Sequence, residues 1–61
     1  MRNDFIALID GKEQISCTRI CLEQNATVIY GVPAEGSHSV GYETTIAIVP
    51  LSRQVELLSI K

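Results

Sequence analysis

Sixty-one residues, 46% of them hydrophobic and 20% charged, make one domain and no more. A net charge of −2, with five Lys and Arg spread singly along the chain, lacks the clustered cations of a nucleic-acid surface and argues against that class of partner. No run reaches the 18 or so apolar residues of a membrane span, and the apolar run Phe5 to Ile9 is too short for a secretory signal.

In so short a chain the entropy lost on ordering nearly cancels the free energy gained by burial, so a lone subunit is marginal and outside support is expected. A disulfide is a poor source of it. On a strand Cys17 and Cys21 would sit about 13 Å apart, against the roughly 7 Å a bridge tolerates. Cys17, Cys21 and His38 supply at most three soft ligands without a Cys-x-x-Cys pair, so structural zinc is not expected. Two buried free thiols acting as small hydrophobes are the ordinary alternative. With no export signal they point to a reducing cytoplasm. Self-association is the remaining support.

In chain order, Phe5 to Ile9 reads as a strand ended by Asp10-Gly11, a dipeptide suited to the positive φ angles of a tight hairpin. The return strand begins near Lys12 and runs through Ile15 towards Leu22. A short helix over Ile15 to Gln24 is the alternative, but Ser, Thr, Ile and Cys are weak helix formers. Glu23-Gln24-Asn25 is the next turn, and Asn25-Ala26-Thr27 matches a glycosylation sequon only by chance. Thr27 to Val32 is β-branched and aromatic, as strands prefer. Gly31 to Gly41, with Pro33 and three glycines, is a long loop. Val40 to Val49 alternates Val40, Tyr42, Ile46 and Ile48 against Glu43 and Thr45. Pro50 stops it, Leu51-Ser52-Arg53 makes a turn or one helical turn, and Gln54 to Ile60 is the last strand.

The expected fold is all-β: a small antiparallel barrel or curled sheet of about five short strands in one domain, residues 1–61. The eleven residues from Ile48 to Leu58 resemble the strand, proline turn and final strand that close a Src-homology-3 domain. That resemblance speaks to a fold and not to peptide binding, because the aromatic groove has no counterpart among Phe5, Tyr30 and Tyr42.

Phe5 to Ile9 and Ile46 to Val49 are apolar on both faces, whereas an antiparallel sheet with one wet face should alternate. Either these are central strands roofed by the long loop, or they form a subunit interface. The marginal energetics favour the interface.

The chemical groups are sparse. Ser37-His38-Ser39 sets a nucleophile type beside a base type, but triads are made by geometry rather than adjacency. Glu35 and His38 would pair only if the loop folded over them, and His38 alone titrates near neutrality without perturbation. Glycines 31, 36 and 41 match no phosphate-binding pattern and read as loop flexibility. Asp4, Asp10, Glu13 and Glu23 form neither a hydrolytic pair nor a calcium loop. Tyr30 and Tyr42 read as core packing, with base stacking as the alternative.

These observations favour a non-catalytic interaction module acting as a homo-oligomer. It would present the Val32 to Val40 loop or a strand edge to a protein partner, with Pro33, Glu35, His38, Tyr42 and Arg53 as binding residues and no cofactor or metal. The size also suits a small regulator. The alternative is a metabolite- or nucleotide-binding oligomer with its pocket at a subunit junction, lined by symmetry copies of Arg19, Arg53 or His38. A third reading, an enzyme assembled across subunits from His38, Glu35 and Tyr42, has less to support it.

Overall fold

The protein is described by a computed structural model over residues 3–33 and 42–60. Six strands follow one another: β1 (Phe5–Ile9), β2 (Glu13–Cys17), β3 (Arg19–Leu22), β4 (Ala26–Gly31), β5 (Thr44–Pro50) and β6 (Val55–Ser59). They form two three-stranded antiparallel sheets, in the orders β2-β1-β6 and β3-β4-β5. The all-β expectation holds. Among the described residues no strand pairing closes the sheets into a barrel, and no segment is helical.

Asp10 and Gly11 both take positive φ, 56° and 71°, and Lys12 N–H donates to Ile9 O at 3.0 Å. Gly has no Cβ to clash there, and Asp is among the few other residues that tolerate the left-handed region. The second hairpin turns at Gln24 and Asn25, where Glu23 N–H donates to Ala26 O at 2.8 Å. The third turn closes with Arg53 N–H donating to Pro50 O at 3.0 Å. It is a turn and not a helix.

The single return strand expected from Lys12 to Leu22 is broken at Thr18. Residues before it pair with β1 and residues after it with β4, so Thr18 is the corner where the chain passes between sheets. Its N–H donates to Tyr30 O at 2.8 Å. The break depends on a partner 12 residues away, which is why local sequence does not announce it.

Side chains on the facing surfaces make the core: Ala7, Ile9, Cys17, Ile29 and Val49 are buried. Phe5, Ile15, Ile20, Ile46, Ala47 and Val55 pack partly buried around them. Both thiols are free, but only Cys17 is buried; Cys21 is half-buried, so the expected pair of buried thiols is half right. Neither tyrosine is in the core. Tyr30 is half-buried, and Tyr42, expected inside the strand Val40 to Val49, precedes β5 and is 71% exposed.

Register explains a further correction. Ile29 pairs with Ala47 but Tyr30 pairs with Thr45, leaving Ile46 as the extra residue of a β-bulge. A bulge breaks the two-residue alternation, so Ile46 turns towards Gly31 and the core while Ile48 turns out and is 66% exposed. Sequence alternation puts both on one face. Gly31 is not a flexible loop residue either: it ends β4 and is buried. A Cβ built on it would lie 2.8 Å from Ile46 Cδ1 and 3.3 Å from the Cys17 Cα.

Of the two strands apolar on both faces, β1 is the centre of its sheet and β5 is an edge.

Candidate functional site

Most of the long loop expected from Gly31 to Gly41 lies outside the described residues, but the residues flanking positions 34–41 are held by side chains from elsewhere in the chain. On the incoming side, Asn3 acts as an extra strand partner. Its Oδ1 accepts from Val32 N–H at 2.9 Å and its Nδ2 donates to Val32 O at 3.2 Å. Beyond Val32, Pro33 is exposed.

On the returning side, Glu43 is held at the Thr18 corner. The Thr18 hydroxyl donates to Glu43 Oε2, Arg19 Nε lies 3.2 Å from both carboxylate oxygens, and Arg19 Nη2 lies 3.0 Å from Oε1. The guanidinium stacks on Tyr30, 3.9 Å from the ring centroid, and its Nη1 reaches Cys21 Sγ at 3.6 Å. Arg and Tyr meet because Arg19 and Tyr30 are directly opposed in the β3–β4 register, where cross-strand side chains stand about 5 Å apart. The Thr18 hydrogen bond, followed by the Arg19 pair, holds the Glu43 carboxyl below its ordinary range, and Glu43 raises the Arg19 guanidinium in return. With side chains 50% and 36% exposed, this pair adds little to stability. Its effect is to hold Glu43, just before β5, at the Thr18 corner.

A second polar cluster joins the two turns at the other end of β1. Asp10 Oδ1 accepts from Gln54 N–H at 3.0 Å, Oδ2 accepts from Arg53 Nε at 2.8 Å, and Asp10 N–H donates to Gln54 O at 2.8 Å. These contacts, the Gln54 N–H foremost, hold the Asp10 carboxyl below its ordinary range.

The expected binding residues therefore separate. Pro33 and Tyr42 flank the loop at the Asn3 end of β1. Arg53 lies at the Asp10 end, roughly 20 Å away at about 3.3 Å per residue, with its charge already paired. Glu35 and His38 lie outside the described residues.

The outer surface of the β3-β4-β5 sheet adds what sequence reasoning missed. Cys21, Val28 and Ile48 share one cross-strand row, and Ala26 and Pro50 share the next. The first row of this solvent-facing surface is thus apolar across all three strands and the second is apolar on β4 and β5, with Glu23 beside Ala26 and the Arg19–Tyr30 stack along the other border. The signal was countable: a turn at Gln24-Asn25 pairing Glu23 with Ala26 sets Arg19 opposite Tyr30 and Cys21 opposite Val28. Glu43 was not countable, because it meets Thr18 and Arg19 from 25 and 24 residues away in sequence.

Among the described residues no group of three His, Cys, Asp or Glu side chains converges as a metal site would require. Comparison with known proteins finds no matching protein family, curated protein or solved structure.

Proposed function

We propose that this chain is a non-catalytic interaction module that works as a homo-oligomer and receives a protein partner on the β3-β4-β5 sheet beside the loop stems. One observation carries the reading: among the described residues, large apolar side chains left exposed outnumber the apolar residues buried. Leu22, Tyr42, Ile48, Leu51, Leu57, Leu58 and Ile60 are exposed, against Ala7, Ile9, Cys17, Ile29 and Val49 buried. Scattered apolar residues are normal on a surface; a marginal core beneath contiguous apolar rows is what association surfaces look like.

Covering Ile48 alone, 66% exposed, would stabilise by about 1–2 kcal/mol per copy, given roughly 1.5–3 kcal/mol for complete burial of such a side chain. Pro33 and the exposed Tyr42 each adjoin a hydrogen-bonded residue, Val32 and Glu43, which lowers the ordering cost of partner contact there.

Sedimentation equilibrium over low to high micromolar concentrations tests the first half. A mass above one subunit is expected, and a monomer throughout overturns it. For the second half, capture from host extract by the wild type is compared with Ile48→Ser and Tyr42→Ala. Both variants should lose the specific partner, and equal capture by all three overturns this placement.

A further inference from the structure

Among the described residues the two sheets have four edge strands, and the backbone shows which of them is open. In an antiparallel ladder the N–H and C=O of successive residues point alternately to the two sides. Ile60 N–H donates to Asp4 O at 3.0 Å and Asp10 N–H donates to Gln54 O at 2.8 Å. The even-numbered residues of β6 therefore face β1. The backbone groups of Val55, Leu57 and Ser59 face outward.

Among the described residues the other three edges are shorter, guarded or offer fewer outward-facing residues. On β5 the Ile46 bulge twists the strand and Pro50 removes a donor. Ala26 uses its carbonyl on the β3 side, so its cross-strand partner Pro50 directs its nitrogen to the open edge. Bulges and edge prolines are the usual protections against strand addition. β3 is four residues long and offers only Ile20 and Leu22; β2 offers only Gln14 and Ser16. By contrast, β6 runs in unbroken register with β1, has no proline or cation, and is exposed from Glu56 to Ser59.

We propose that β6 is a dimerisation edge, two copies pairing β6 antiparallel about a two-fold axis through Leu57 to make one six-stranded sheet. This rests on the self-association proposed above and says how it occurs. The occupant is a second copy because the strand is complementary to itself in one register. With Leu57 opposite Leu57 of the second copy, Val55 meets Ser59 and Glu56 meets Leu58. All five residues of β6 pair.

Sliding by two residues one way sets the two Glu56 carboxylates opposite each other, which is unfavourable. Sliding the other way shortens the overlap to about three residues. The central pairing also completes a layer. Leu57 lies on the core face in register with buried Ala7, yet is 37% exposed. Its symmetry mate covers it. On the outer face Leu58, in register with Ile6, gains a neighbour across the axis.

The test compares Leu58→Lys with Leu58→Glu by sedimentation equilibrium. Both remove the same exposed side chain, so any folding defect is shared. In the proposed register the ammonium introduced by Leu58→Lys faces Glu56 of the second copy. The carboxylate introduced by Leu58→Glu faces that same Glu56 with like charge, twice per dimer. Dimerisation of Leu58→Glu should be weaker than that of Leu58→Lys by roughly tenfold, with the gap narrowing at high salt. Ser59→Pro removes an outward donor without touching the β1 ladder and should give a monomer with unchanged circular dichroism. A wild type that stays monomeric overturns both the self-association reading and this one. A wild type that associates while the two Leu58 variants behave alike, or while Ser59→Pro still dimerises, overturns the β6 pairing alone.

Discussion

Gly31→Ala probes a close approach between β4, β5 and the end of β2. The added Cβ would stand 2.8 Å from Ile46 Cδ1, 3.3 Å from Asn3 Oδ1 and 3.3 Å from the Cys17 Cα, where ordinary carbon contacts lie near 3.5–4.0 Å. Ile46 Cδ1 is a side-chain end that must rotate away, whereas the Cys17 atom is backbone and does not yield freely. Overpacking of this kind costs about 1–3 kcal/mol, and the lower chain entropy of Ala in the unfolded state returns about 0.4–1 kcal/mol. A net loss of about 1–2 kcal/mol should lower the melting temperature by about 5–15 °C in a domain of this size. Ile46→Val removes the offending Cδ1 and by itself costs about 0.5–1.5 kcal/mol. Combined with Gly31→Ala it should restore part of the loss, a coupling that a double-mutant cycle reads in urea or thermal melts. Strictly additive losses, or a Gly31→Ala as stable as the wild type, would refute the close approach.

Asp10 and Glu43 bind protons less readily folded than unfolded. The stability they contribute is thus complete above the ordinary carboxylate range, about pH 4 to 5, and drains as pH falls through it towards their lower folded values. Urea midpoints measured from about pH 6 to about pH 2 should fall less steeply for Asp10→Asn with Glu43→Gln; parallel curves would contradict this. The two thiols should also separate. Burial raises the Cys17 thiol and closes it to reagent, whereas Cys21 is half-buried on the outer sheet surface. One thiol should label in the folded protein at neutral pH and the second only on unfolding. Labelling of both at one rate would place Cys17 wrongly.

What was legible in the sequence was local. Phe5 to Ile9 is β1 residue for residue, because its apolar run abuts a dipeptide made for positive φ. Pro50 ends β5 as a proline should. What was not legible depended on residues distant along the chain. The break at Thr18 follows from Tyr30, the inward turn of Ile46 from a bulge opposite Ile29 and Tyr30, and the need for Gly31 from Ile46 and Cys17. Tyr42 looked like a strand residue because alternation ran through it; the strand begins at Thr44. The Arg19–Tyr30 stack lay between, available from the hairpin turn by counting, while the Arg19–Glu43 pair joins residues 24 apart that no local turn relates.

Amide hydrogen exchange, read residue by residue, reaches the central claim most directly. Among the described residues of one subunit the amides of Val55, Leu57 and Ser59 have no strand partner, and neither does that of Ile48 on the guarded β5 edge. If association proceeds through β6, the first three should become protected as concentration rises while Ile48 continues to exchange fast. Rapid exchange at all four positions at every concentration would contradict the account.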